Sequence, residues 1–225
     1  GAPVTFSCRK GTCQSCLMQV VSGDPGPEGQ AHLSTKQREL GFFLPCCTTT
    51  PNKVVAKRPD WSLLTYQALV AEKAELAPGL IRLRLEPETD LPWHPGQTVG
   101  LFAPDGTRRS YSIASLSAED YFLDLHIRHY PGGKVSDWVA TQVKAGDFIT
   151  LQGPSGAFIY DSDLAETPLT LIGTGSGQGA VLAIAREALA QGHRAGIHLV
   201  LGARQASGLY LADAARDLAA RHPSL

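Results

Sequence analysis

From Tyr66 to Pro154 the chain alternates apolar and polar positions in short runs. The stretches YQALVAEKAEL, LIRLRLEP, QTVGLFAP, RSYSIAS, YFLDLHIRHY and DFITLQGP are rich in alternating and β-branched residues and are cut apart by Pro, Gly and Asp. A period near two with close turns predicts a small antiparallel barrel or sandwich. SDWVATQVKAGD breaks the alternation and predicts a helix, with Ser136 as N-cap and Gly146 beyond its C-terminus. Further on the pattern changes again. LTLIGTGSGQGAVLAIAREALAQG reads as a buried strand, a glycine-rich turn and a helix ended by Gly192, and GIHLVLGAR reads as a second strand. LYLADAARDLAARH predicts a helix with apolar positions 211, 214, 215 and 218 on one face. This strand–helix–strand–helix order implies a parallel α/β sheet. CLMQVVSGD, near the N-terminus, reads as a strand leaving a cysteine-rich loop.

Composition adds little to that picture. The 225 residues are 43% hydrophobic and 18% charged, as in an ordinary globular protein, and the formal net charge is −1. No strong field points to nucleic acid or to an anionic membrane. No apolar run is long enough to span a bilayer, and no signal peptide is visible.

The five cysteines change the picture more. Cys8, Cys13 and Cys16 follow C-x4-C-x2-C spacing, and 29 residues then intervene before the pair Cys46-Cys47. A disulfide scaffold is cysteine-rich throughout, whereas this chain has none after Cys47. Structural zinc uses two C-x2-C knuckles, and one is present. C-x4-C-x2-C with a distant fourth cysteine is the plant-type [2Fe–2S] arrangement. Three thiolates must come from one loop, and Gly11, Thr12 and Ser15 give that loop the small residues it needs. The segment resembles the plant-type ferredoxin domain, a β-grasp fold. The resemblance implies that Cys8 and Cys13 hold one iron and Cys16 and Cys46 the other. HLSTKQRELGFFLP then resembles the short helix and turn that deliver the last ligand. Cys47 is the spare, read as a small, partly buried residue.

Three pieces of the middle segment carry chemistry. RRSYSIAS sets Arg109, Tyr111 and Ile113 on one face of a strand. PGGKVSDW opens a helix, whose free N–H groups and positive dipole end suit a pyrophosphate. PGQTVGL is a turn entering a strand. Singly, each also reads as an ordinary polar strand or turn. In this order they resemble the flavin-binding barrel of the ferredoxin–NADP reductase superfamily. By that resemblance Arg109 lies at the flavin phosphate region, Ser110 belongs to the same cofactor-binding strand, Tyr111 packs on the isoalloxazine and Ser112 sits near N5. Ile127 and Arg128 line the flavin through the backbone, and Gly133, Lys134, Val135 and Ser136 cradle the pyrophosphate. A pyrophosphate cradle favours FAD over FMN.

Gly173, Thr174, Gly175, Ser176 and Gly177 stand where a strand hands over to a helix, as a dinucleotide site requires. The acidic residue expected after the second strand is replaced by GARQ. Arg204 there either favours a 2′-phosphate or faces solvent. NADH and NADPH both stay open, with NADH the expected donor by resemblance. Ala180 stands where many relatives carry Pro.

The fold class expected is multidomain α+β and α/β. It comprises a partial β-grasp ferredoxin domain over 1–58, an antiparallel β-barrel flavin domain over 63–160 and a partial parallel α/β nucleotide-binding domain over 167–225. The first strands of the ferredoxin domain and the second half of the nucleotide domain are expected to lie outside this sequence. This order resembles the reductase components of multicomponent oxygenases, of the benzoate dioxygenase reductase and methane monooxygenase reductase type. The resemblance implies transfer from NAD(P)H through FAD to a [2Fe–2S] cluster, then to an oxygenase or another redox protein. Tyr111 and Ser112 would attend the hydride step, and no side chain acts as acid, base or nucleophile on a substrate. A cytoplasmic setting is expected, since thiolates and reduced nicotinamide are needed. Two other readings stay open: an electron carrier without productive nicotinamide binding, and a reductase of a membrane quinone system.

Overall fold

A computed structural model describes residues 4, 6, 8–11, 14–49, 53–60, 63–89 and 91–222. Among them lie three sheets, one for each pattern in the sequence. In the first, β1 (Met18–Ser22) pairs antiparallel with β2 (Phe42–Phe43) and β3 (Val55–Lys57). Helix α1 (Thr35–Glu39) leads into β2 through a capping box, in which Ser34 accepts from the Gln37 N–H and Gln37 accepts from the Ser34 N–H. Its small core holds Cys16, Leu17, Leu33, Phe42 and Leu44.

The second sheet has six strands in the order β7-β6-β9-β4-β5-β8. They are β4 (Thr65–Ala77), β5 (Leu80–Pro87), β6 (Thr98–Phe102), β7 (Arg108–Ser112), β8 (Leu123–Arg128) and β9 (Phe148–Ser155). Strand β4 pairs with β5 through two register shifts, which bend it, and its first residues, 65–69, also pair with β9. An isolated antiparallel bridge, Ile113 to Leu125, joins the end strands β7 and β8 and makes the sheet a barrel. Alternation turns Val70, Leu83, Leu85, Val99, Leu101, Leu125, Ile127 and Leu151 inward, and all are fully buried.

Helix α2 (Lys134–Thr141) plugs this barrel with Val135 and Val139. Two expectations for it are corrected. The N-cap is Gly133, not Ser136. Ser136 is buried inside the first turn, where its Oγ accepts from the Tyr130 N–H at 3.3 Å and lies 3.4 Å from the Tyr130 carbonyl. The serine thus braces the preceding loop instead of starting the helix. The helix also ends at Thr141, well before Gly146, because Lys73 donates to the carbonyls of Ala140 and Val143 at 2.7 and 2.8 Å. Gly146, at φ +94°, serves the turn into β9.

In the third sheet β10 (Leu169–Thr174) runs parallel to β11 (Ile197–Gly202), with α3 (Gly177–Ala190) between them in the chain. Helix α4 (Ala212–Arg221) follows, packing Leu211, Ala215 and Leu218 as expected, while Ala214 is exposed. Helix α3 is buried along nearly all its length, because it lies against both its own sheet and the barrel. No helix among the described residues is long and apolar enough to cross a membrane.

Candidate electron-transfer site

The cysteine loop forms the first part of the site. Cys8, Cys16, Cys46 and Cys47 are among the described residues, while Cys13 and Thr12 lie outside them. The Sγ atoms of Cys16 and Cys46 stand 3.2 Å apart. A disulfide would need about 2.05 Å. Two thiolates about 2.3 Å from one tetrahedral metal would stand roughly 3.7 Å apart. The contact is thus no disulfide, and it brings two of the cysteines singled out by spacing side by side. The loop is also shaped for sulfur: Arg9 and Gly11 have φ of +55° and +78°, and the Lys10 N–H points at Cys8 Sγ, 3.4 Å away. Gly11 has no room for a side chain, since a Cβ there would meet the His32 ring at 2.5 Å and Cys47 Sγ at 3.1 Å. Cys47 thus faces the loop, 3.6 Å from Cys46 Sγ, and burial together with its thiol neighbours pushes it up to about 11. Among the described residues no group of three or more His, Cys, Asp or Glu stands in a geometry that could hold a metal ion.

The second part lies on the barrel around its closing bridge. On β7, Tyr111 is half-buried against the core beside Val99, its β6 partner, and desolvation pushes its phenol up to about 12. Arg109 is exposed, and its Nη1 donates to the Arg108 carbonyl at 2.9 Å. Ser110 and Ser112 are exposed on the alternate face, opposite Gly100 and Thr98. Running antiparallel from the Ile113–Leu125 bridge, β7 and β8 bring these residues alongside Ile127 and Arg128. The loop after β8 then turns through Gly132 (φ +73°) into α2. A Cβ on Gly133 would meet Ser136 Oγ at 2.7 Å and the Tyr130 carbonyl at 2.9 Å, so the cradle is built around the missing side chain. The first N–H groups of α2, on Lys134, Val135 and Ser136, have no partner within the helix. That donor set suits a pyrophosphate. The Lys134 ammonium is engaged elsewhere, 3.2 Å from Asp105, which its bonds to Thr107 and Lys134 hold down at about 2.

The third part is a cleft of about 760 Å³ between the barrel and the α/β sheet. The glycine-rich turn supplies Thr174, Gly175 and Ser176, the end of β11 supplies Gly202 to Gln205, and the barrel supplies Pro78, Arg128 and Tyr130. Gly175 adopts φ +54°. Gly173 is required by packing, since a Cβ would meet Val181 Cγ2 at 2.4 Å. Gly177 starts α3 with open space around it and is not among the residues lining the cleft. Arg204 is exposed at the cleft, and Arg128 Nη1 donates to the Pro78 carbonyl at 2.8 Å.

The residues that hold the cleft together were not found by motif. Gln178, fully buried, donates through Nε2 to the carbonyls of Gly202 and Gly208 at 3.3 and 2.7 Å, linking the two loops. Arg186 of α3 meets Asp120 and Glu119 of the barrel at 2.9 and 2.7 Å. Glu187, with a side chain 4% exposed, lies 2.7 Å from His94 Nδ1. His126 Nδ1 lies 2.7 Å from the Tyr210 hydroxyl, and burial drives this imidazole down to about 4.

Comparison with known proteins gives two domain matches. A 2Fe-2S iron-sulfur cluster binding domain matches residues 1–51, and an oxidoreductase FAD-binding domain matches residues 68–160. The reductase subunit of an aromatic O-demethylase from Amycolatopsis is 36% identical over 230 residues, covering 96% of this chain and 69% of the relative. The ferredoxin–NAD(P)(+) reductase component of the naphthalene 1,2-dioxygenase system from Pseudomonas putida is 33% identical over 236 residues, covering 100% and 70%. Among solved structures, the Amycolatopsis cytochrome P450 reductase GcoB superposes with a TM-score of 0.71 at 34% identity, over 100% of this chain and 71% of that one.

Proposed function

Because the chain belongs to the family of FAD- and [2Fe–2S]-containing reductase components of oxygenase systems, we propose that it carries electrons from NAD(P)H to an oxygenase or a related redox protein. When bound, FAD takes two electrons as a hydride and hands them on singly, and the [2Fe–2S] cluster is the one-electron exit. The observation that carries this reading is the 3.2 Å approach of Cys16 and Cys46 in the loop built around Gly11, in a chain whose barrel helix opens on Gly133, where a side chain would clash.

The chain's own residues have separable tasks. Cys8, Cys13, Cys16 and Cys46 hold the cluster. Arg109 and Ser110 bind the flavin's phosphate side, and the α2 N–H groups of Lys134, Val135 and Ser136 neutralise its pyrophosphate. Tyr111, held neutral by burial, covers the ring and limits water access. Ser112 offers a hydroxyl on the exposed face where N5 would lie. Ile127 and Arg128 line the ring. Gly173, Thr174, Gly175, Ser176 and Gly177 form the nicotinamide-side phosphate turn, and Arg204 stands where a 2′-phosphate would be met. The units carrying these tasks are assigned to 1–58, 63–160 and 167–225, and the protein to the cytoplasm.

An anaerobic visible spectrum before and after NADH tests the reading. Flavin and cluster bands that bleach on addition are the expected result. Bands that stay unchanged with both NADH and NADPH would leave an electron carrier, and a protein that remains colourless after reconstitution with iron, sulfide and FAD would overturn the assignment.

A further inference from the structure

The chain as a whole is close to neutral, but the end that carries the cluster loop is not. No acidic residue occurs before Asp24, whereas Arg9 and Lys10 sit between the first two cysteines. Both are exposed, and the Arg9 guanidinium lies 4.5 Å from the centre of the Phe6 ring, itself 55% exposed. Helix α1 is docked onto the same loop, because Gln37 Nε2 donates to Gln14 Oε1 at 2.9 Å and Gln14 donates to the His32 carbonyl at 3.1 Å. With Gln37 turned inward, Lys36 and Arg38 stand exposed on either side of it in sequence. Loop and helix together therefore carry four cations, Arg9, Lys10, Lys36 and Arg38, against the single carboxylate Glu39, in a chain whose formal net charge is −1.

Charge segregated in this way steers encounter. A cationic rim with one exposed aromatic at the electron exit selects a partner whose own acceptor centre is rimmed by carboxylates. We infer that the Phe6–Arg9–Lys10 surface is the docking face for an acidic redox protein, and that the electron leaves through Cys8 beneath it. This rests on the electron-transfer reading above. It adds the sign of the partner's surface and the residues that meet it.

The test uses the holoprotein, reduced anaerobically with NADH, and two small oxidants of opposite charge. Oxidation of the cluster is followed at its visible bands with ferricyanide, a trianion, and with hexaammineruthenium(III), a trication, from low to high salt. The ferricyanide rate constant is expected to fall roughly tenfold or more as salt screens the attraction, and that of the ruthenium complex to rise. Arg9→Gln with Lys10→Gln should flatten both dependences. A second readout needs no turnover: the redox-inert anion tris(oxalato)chromate(III) should broaden the Phe6 ring resonances in the wild type and less in the double variant. A ferricyanide rate that rises with salt, or slopes and broadening unaffected by the double substitution, would overturn the docking face. Failure of NADH to bleach the flavin would instead count against the electron-transfer reading.

Discussion

Gly179→Ala probes the contact between the barrel and the α/β sheet. Gly179 lies in the first turn of α3, directly over His126 of β8. A methyl group there would stand 2.2 Å from His126 Nδ1, 2.7 Å from Cε1 and 2.9 Å from Ala114 Cβ. The ring cannot swing aside cheaply, because the same Nδ1 bonds the Tyr210 hydroxyl and the two rings meet edge to face at 5.4 Å. Losing that hydrogen bond costs about 1 kcal/mol. Forcing a methylene-sized group into a packed contact costs about 1–3 kcal/mol. Alanine in a helix returns about 0.5–1 kcal/mol relative to glycine. The clash outweighs the propensity gain, for a net loss of about 1–3 kcal/mol, or a fall in melting temperature of roughly 3–10 °C. Thermal unfolding of the holoprotein measures it. Gly177→Ala is the control two residues earlier, where an added Cβ meets nothing within 4 Å, and it should be neutral or slightly stabilising. If Gly179→Ala matches the wild type, or if the two variants fall equally, the close approach of α3 to His126 is not what holds this contact.

The same histidine predicts a pH dependence. Burial lowers His126 from 6.5 to about 4, so between these values the unfolded chain binds a proton that the folded chain refuses. Stability therefore falls as pH drops from about 6.5 toward 4, by roughly 3 kcal/mol at most from this group. His126→Gln should remove that component in urea titrations across the window, and an unchanged acid slope would refute it. Arg109→Ala should weaken FAD binding by about 1.5–3 kcal/mol if the guanidinium makes a charge-assisted bond to the phosphate side. Flavin release followed by fluorescence reads this directly, and an unchanged affinity would take Arg109 out of the site.

The cysteine-rich loop and the glycine-rich strand–helix turn stood out because both are local patterns, C-x4-C-x2-C and a run of glycines where a strand hands over to a helix. The six barrel strands were legible because alternation records which face is buried. Ser136 was misread for a local reason. A serine near a helix start signals a cap, but here a glycine one turn earlier takes that place and the hydroxyl folds back onto the Tyr130 backbone. The contacts between barrel and α/β sheet were illegible for the opposite reason. His126 and Tyr210 are 84 positions apart, and Arg186, Glu187 and His94 each look like ordinary surface residues until α3 is laid on the barrel. Gln178 had a faint signal, a polar residue in an otherwise small and apolar helix start, but its two carbonyl partners are set by the tertiary fold.

The barrel is closed at one place only lightly. Five of its strand junctions are ladders of several residue pairs, while β7 and β8 meet at the single Ile113–Leu125 bridge. The residues assigned to the flavin come from those two strands and from the helix that follows them, so they straddle the weakest stave joint in the cask. On that assignment FAD acts as a hoop as well as a reagent. Holding it tightens the joint by mass action, the more so the further free flavin exceeds its dissociation constant, and a molecule that has lost its flavin is also one whose barrel is freest to spring open.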